Sequence, residues 1–193
     1  MRLFHFSDDP DIQIFRPRPT NIIGDRPAGQ EWLNSPLVWA TDETHELLYL
    51  FPRECPRILV WPTAETTPEE KEAWFCGGDC RAIAHIESAW FERMKSGSVH
   101  RYEMPRPLFE DVGEVGMWVS RTEVTPERVE TLCDLLAELE ARNIELRVME
   151  RLTPLKGAWQ TSLHASGVRL RNAQDWGKPG WMHSKPGRTV AVP

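Results

Sequence analysis

The sequence predicts an α+β fold: a single domain on a mixed or mostly antiparallel sheet, whole or split, flanked by helices. Three observations lead there. Hydrophobic residues make up 40% and charged residues 27% of a 193-residue chain, a globular composition at a length that fits one domain. Stretches with strand periodicity and stretches with helix periodicity alternate unevenly. Several successive strands lack the dozen or so intervening residues that a parallel crossover needs, which favours antiparallel neighbours over a doubly wound sheet.

Arg2–Phe6 alternates polar with apolar or aromatic side chains and reads as the first strand. The stretch up to Pro36 is rich in Pro, Gly, Asn and Asp and reads as a long ordered loop. Leu37–Thr41 is a short strand, and Asp42 is placed to cap a helix ending near Phe51, before Pro52. Arg57–Trp61 is a buried-type strand. Thr67-Pro68-Glu69-Glu70 is a capping box with proline at the first helical position, opening a helix through Phe75. Cys76-Gly77-Gly78-Asp79 breaks that helix.

Ile83, Ile86, Trp90 and Met94 recur at helical spacing, which predicts an amphipathic helix over 81–95 and puts Glu87 and Glu92 on it. Ser98–Met104 and Met117–Ser120 are strands. Thr125-Pro126-Glu127 opens a helix with Val129, Leu132, Leu136 and Leu139 on one face and Asn143 as its left-handed stop. Glu145–Leu152 is a strand. Trp61–Glu70 and Trp118–Arg128 share a strand, Thr-Glu, Thr-Pro-Glu pattern, from a duplication or from two uses of one capping chemistry. From Trp176 the chain is Gly/Pro/Lys-rich and aperiodic. The domain is expected over 1–175, with a poorly ordered tail over 176–193.

No run approaches the roughly 18 apolar residues of a membrane-spanning helix, and Met1–His5 leads into Ser7-Asp8-Asp9 without a secretory apolar stretch. Cys55, Cys76, Cys80 and Cys133 make no disulfide framework in a chain of this length. A cytoplasmic protein without membrane attachment is expected. The net charge of −6 is uneven: from Lys156 on there are six Lys/Arg against one acid, Asp175. The acidic balance disfavours nucleic acid as a partner. No Gly-x-Gly-x-x-Gly, Walker or zinc-protease pattern occurs.

Four constellations carry candidate chemistry. His5 with Ser7 leaves the first strand, where an imidazole can bond a hydroxyl or exchange a proton near neutral pH. Trp39 and Thr41, followed by His45 and Tyr49, offer a hydroxyl and flat rings; His45 and Tyr49, four residues apart, would share a helical face. His164, Ser166, Arg169 and Arg171 follow in one stretch, and if it is extended both guanidiniums face one way, suited to phosphate or carboxylate. Against each stands a plain alternative: a satisfied strand histidine, core aromatic packing, an internal ion pair. Cys76 to Cys80 with His85 lacks the usual metal spacing, so no metal site is expected.

Leu3–Ser7, Pro36–Ala40, Tyr49–Arg53 and Ser162–Gly167 resemble the signature stretches of a bacterial domain-of-unknown-function family, to about Trp176. The chain also resembles, more distantly, the ADP-ribosyltransferase-like fold. His5, Trp39–Thr41, Tyr102–Pro105 with Phe109, and Trp118–Ser120 with Val124–Pro126 fill that fold's motif places in order. That resemblance implies a histidine on a ribose hydroxyl of NAD and an aromatic beside the nicotinamide. The family's late-strand glutamate has no counterpart in Met117–Ser120, and Glu123 lies beyond that strand.

Two classes of function follow. One is a nucleotide-type ligand binder, with NAD or another nucleotide as cofactor or substrate and glycosyl or ADP-ribosyl transfer as its chemistry. There His5 and Glu123 are the catalytic candidates, and Ser7, Trp39, Thr41, Tyr49, His164, Ser166, Arg169 and Arg171 the ligand-binding ones. The other is a non-catalytic module that docks a protein partner or a second copy through Trp159, Trp176, Trp181 and the basic end. A metal-assisted hydrolase using His164 with His5 is a third. Whether the chain is an enzyme stays open on sequence grounds.

Overall fold

The computed structural model describes residues 1–19, 26 and 28–177. In chain order its strands are β1 (Leu3–Ser7), β2 (Val38–Asp42), β3 (Arg57–Trp61), β4 (Ala82–Glu87), β5 (Val99–Met104), β6 (Glu110–Asp111), β7 (Met117–Ser120), β8 (Arg128–Leu132), β9 (Ile144–Met149) and β10 (His164–Val168). Its α-helices are α1 (Pro68–Phe75), α2 (Phe91–Ser96) and α3 (Leu135–Glu140). The chain divides into two compact units. Met1–Glu46 with Val99–Leu132 form the first, and Leu47–Ser98 with the chain from Cys133 form the second. The α+β class with antiparallel and mixed sheets is as the sequence predicts.

The first unit is a six-stranded antiparallel sheet in the order β6-β7-β2-β1-β5-β8. Alternation sends Leu3, Val38, Ala40, Tyr102, Met104 and Trp118 to one face, where Phe15, Phe109 and Val124 cover them. Val119 and Leu37 turn to the other face and pack with Leu33 and Val112. The described part of the long loop is anchored, because Phe15 and Val124 exchange backbone hydrogen bonds of 2.8 and 2.9 Å. The Tyr102 hydroxyl donates to the Asp9 carbonyl at 2.7 Å and accepts from Ile12 N–H at 3.1 Å.

The second unit is a four-stranded mixed sheet, β10-β3-β4-β9, parallel only between β4 and β9. Ile58, Val60, Ile83 and Ala165 share one face with Phe75, Leu152 and Leu163. Thr67 caps α1 by accepting from Glu70 N–H, and Pro68 stands at its start, as predicted. Cys76 ends the helix in a left-handed conformation, φ 51°.

Several expectations are corrected. Residues 81–95 form β4, a 3-10 turn and α2, so Glu87 and Glu92 do not share a helix. All six residues of β4 are buried, and a strand covered on both faces loses its alternation and mimics helical spacing. Residues 125–143 form β8 and then α3, whose cap is Asp134 rather than Thr125; Asn143 does stop it at φ 54°. The Thr-Pro-Glu of 125–127 therefore leads into a strand, unlike that of 67–69, and the two segments are not structural repeats. Residues 42–51 hold only a 3-10 turn, Glu46–Tyr49, although Asp42 Oδ1 does accept from His45 N–H at 2.7 Å. Of the expected tail over 176–193, residues 178–193, including Trp181, lie outside the described residues.

Candidate ligand site around Trp39

β1 and β2 pair only at Leu3 with Asp42 and Phe4 with Thr41. Beyond that point a side chain links the strands: His5 Nδ1 lies 2.7 Å from the Trp39 carbonyl. A carbonyl only accepts, so Nδ1 carries the proton and donates. The imidazole packs at a tilt of 54° against Phe15, ring centroids 4.6 Å apart, and Phe15 meets Tyr102 edge-on at 5.0 Å. Ser7, buried at the end of β1, accepts from Asp9 N–H at 3.1 Å.

Trp39 and Thr41, two residues apart, point to the opposite face from His5. There the half-buried Trp39 ring joins Trp32 and Met117 against Leu33, Leu37, Val112 and Val119. Thr41 is 2% exposed, between Phe4 and Met117 on the neighbouring strands, and its hydroxyl has no hydrogen-bond partner. Arg26 places its guanidinium carbon 5.9 Å from the Trp39 ring centroid and donates from Nη1 to Glu114 at 2.6 Å. Its Nε is buried and unpartnered as well. Two orphaned polar atoms thus belong to the residues around one tryptophan, whereas buried polar groups are ordinarily satisfied.

Just beyond the Thr41–Met117 pair, Asp42 N–H donates to the Gly116 carbonyl at 2.9 Å, and Asp42 Oδ1 holds His45 through Nδ1 at 2.8 Å. Burial would raise the Asp42 carboxyl, but the side-chain and backbone hydrogen bonds from His45 outweigh it and hold the carboxyl below its ordinary range. Glu123 is exposed and ion-paired to Arg16 at 3.0 Å.

The other predicted ligand residues belong to the second unit. Tyr49 lies on the 3-10 turn beside the buried Arg57, whose guanidinium carbon is 5.9 Å from the Tyr49 ring centroid and 5.1 Å from that of Phe51. His45 precedes that turn, so the two do not share a helical face. His164 pairs across strands with Trp61 and stacks on it at 4.1 Å; Ser166, two residues on, shares its face. The extended run expected through Arg171 ends at Val168. Arg169 turns left-handed, φ 56°, and Leu170–Asn172 form a 3-10 turn. The two guanidiniums still converge, on the Glu54 carboxylate.

Trp159 and Trp176 pack edge to face at 6.1 Å against the second unit's core. Among the described residues no three His, Cys, Asp or Glu are grouped to hold a metal ion. No helix of the described residues is long and apolar enough to cross a membrane. Sequence reasoning missed Arg26, Glu54, and Trp61 as the partner of His164. Of these only Trp61 had a readable signal, its place at the end of a strand; Arg26 and Glu54 acquire their roles from distant contacts.

Curated proteins and solved structures give no match. A family model does, the one described as "Family of unknown function (DUF6886)", over residues 4–173. That span takes in both sheets and the residues around Trp39, and the chain therefore belongs to this family.

Proposed function

We propose that the first unit binds a nucleotide-type ligand, NAD or a related nucleotide, on the face of β2 that carries Trp39 and Thr41. The reading rests on the Thr41 hydroxyl, buried without a partner next to a half-buried indole. Leaving such a group unpaired costs about 1–3 kcal/mol, which a ligand acceptor would recover. Arg26 Nε is a second buried donor of the same neighbourhood. An indole, a hydroxyl and a guanidinium suit a flat heterocycle bearing carbonyl, carboxamide or phosphate oxygens.

His5 enters this reading as a positioning residue, acting through the Trp39 carbonyl. The distant resemblance to the ADP-ribosyltransferase-like fold supports it through the first-strand histidine and the aromatic-then-hydroxyl strand. Only binding is proposed, because Glu123, the acid that transfer would call on, is paired with Arg16.

The test is thermal unfolding of the full chain with millimolar NAD, nicotinamide, AMP and ATP. A ligand that binds only the folded state raises Tm, by about 2.7 kcal/mol of stability at a hundredfold excess over Kd. At least one of the four is expected to do so. Thr41→Val should unfold no earlier than wild type without ligand, since it removes an unpaired hydroxyl, and should lose the shift. No shift with any of the four compounds, or an unchanged shift in Thr41→Val, would end this reading.

A further inference from the structure

In the second unit, Glu54 is held by donors from one short turn. Arg169 Nε lies 3.4 Å from its Oε1, and Arg171 Nη2 and Asn172 Nδ2 lie 3.1 and 2.9 Å from its Oε2. Asn172 Nδ2 also donates to the Glu54 carbonyl at 2.8 Å, and Arg169 Nε to that of Arg53 at 3.3 Å. The hydrogen bond from Asn172, and then the charges of Arg169 and Arg171, hold the Glu54 carboxyl below its usual range.

The turn is built rather than loose. Gly167 leaves no room for a β-carbon, because Leu170 and Trp159 close directly on its backbone. That seats Leu170 inward and turns the guanidiniums on either side of it toward Glu54. Arg169 adopts a left-handed conformation that side chains other than glycine rarely take, and such strain concentrates at functional sites.

Charge decides the reading. Two guanidiniums meet a single carboxylate, and after burial itself the charge of Arg169 is among the causes that lower the pKa of the fully buried Arg57. One carboxylate leaves this group net cationic. The same donor set fits an oxyanion of higher charge, since arginines hold phosphate and carboxylate with the same planar geometry.

We propose that Arg169, Arg171 and Asn172 form a phosphate- or diphosphate-binding site that Glu54 occupies as an internal stand-in, to be displaced by the ligand. Glu54 is half-exposed and can swing outward. This site stands apart from the reading around Trp39 and needs nothing from it.

Isothermal titration of the full chain with inorganic phosphate, pyrophosphate and ADP at low salt tests it. Glu54→Ala should bind pyrophosphate at least tenfold more tightly than wild type, with an affinity that falls as salt rises. Replacing Arg169 and Arg171 by Ala in that background should remove the gain. Tighter ADP than pyrophosphate identifies a phosphate ester as the ligand, and the reverse a free anion. Should Glu54→Ala fail to fold, Glu54→Gln carries the same test. No binding in either Glu54 variant, or binding that survives loss of both arginines, overturns the site.

Discussion

The ring of His45 lies directly on the α-carbon of Gly116, with no space for a β-carbon between them. Gly116 also sits at φ +70°, and its carbonyl takes the hydrogen bond from Asp42 N–H. Gly116→Ala therefore meets a left-handed backbone costing about 1–2 kcal/mol and an overlap costing about 1–3 kcal/mol more. At about 2–4 °C per kcal/mol for a chain of this size, a Tm depressed by several degrees is expected. A variant as stable as wild type by thermal unfolding would contradict this placement of His45.

His85 gives the protein a specific acid sensitivity. Burial lowers its pKa from 6.5 to about 4, and Nδ1 donates to the Ile58 carbonyl at 3.3 Å. The unfolded chain takes up this proton near its ordinary value and the folded chain only near the depressed one. Stability from the neutral ring is thus complete above the unfolded value and is lost as pH falls through the window between the two. The loss is on the order of 3 kcal/mol. Urea midpoints measured between pH 7 and pH 5 should fall for wild type and stay flatter for His85→Leu.

Arg57 is 2% exposed, with Nε on the Leu48 carbonyl at 2.7 Å and Nη1 on that of Cys55 at 2.9 Å. Burial brings it to about 10, still protonated at neutral pH. Arg57→Ala strands two carbonyls and leaves a void beside Phe51, so a loss of about 2–4 kcal/mol is expected. Arg57→Lys should recover little, since a single ammonium cannot copy the fork or its stacking. Chemical denaturation of both variants decides the matter.

His5→Ala removes the donor that links β1 to β2 past Thr41. A loss of about 1–2 kcal/mol is expected, with faster hydrogen exchange at β2 amides. His5→Asn, whose side-chain amide can reach the same carbonyl, should recover part of both. Equal exchange in wild type and His5→Ala would show that the link carries no weight.

Local chemistry made some elements legible. Thr67 and Pro68 announced α1 because capping is written within four residues, and the apolar run of β3 needed no partner to be recognised. β4 was hidden because burial on both faces erased its alternation, and β8 because the apolar spacing of Val129 and Leu132 runs on into α3. At the candidate site, the shared face of Trp39 and Thr41 followed from strand periodicity. That His5 points to the other face depends on non-local register, which no single segment encodes. Glu54 offered no sign at all, since its role arises from residues more than a hundred positions later.

The order in which the two units share the chain bears on how the protein is made. β1 lies inside its sheet, between β2 and β5, yet residues 8–98 separate it from β5, and 47–98 of these belong to the second unit. During synthesis, at roughly 5–20 residues per second, the N-terminal strand must wait several seconds with one flank open while an intervening stretch leaves the ribosome. β4 waits in turn for β9. A nascent chain stalled near residue 98 would thus expose four unfinished edges at once, those of β1, β2, β3 and β4, and this is the point at which a chaperone would have most to protect.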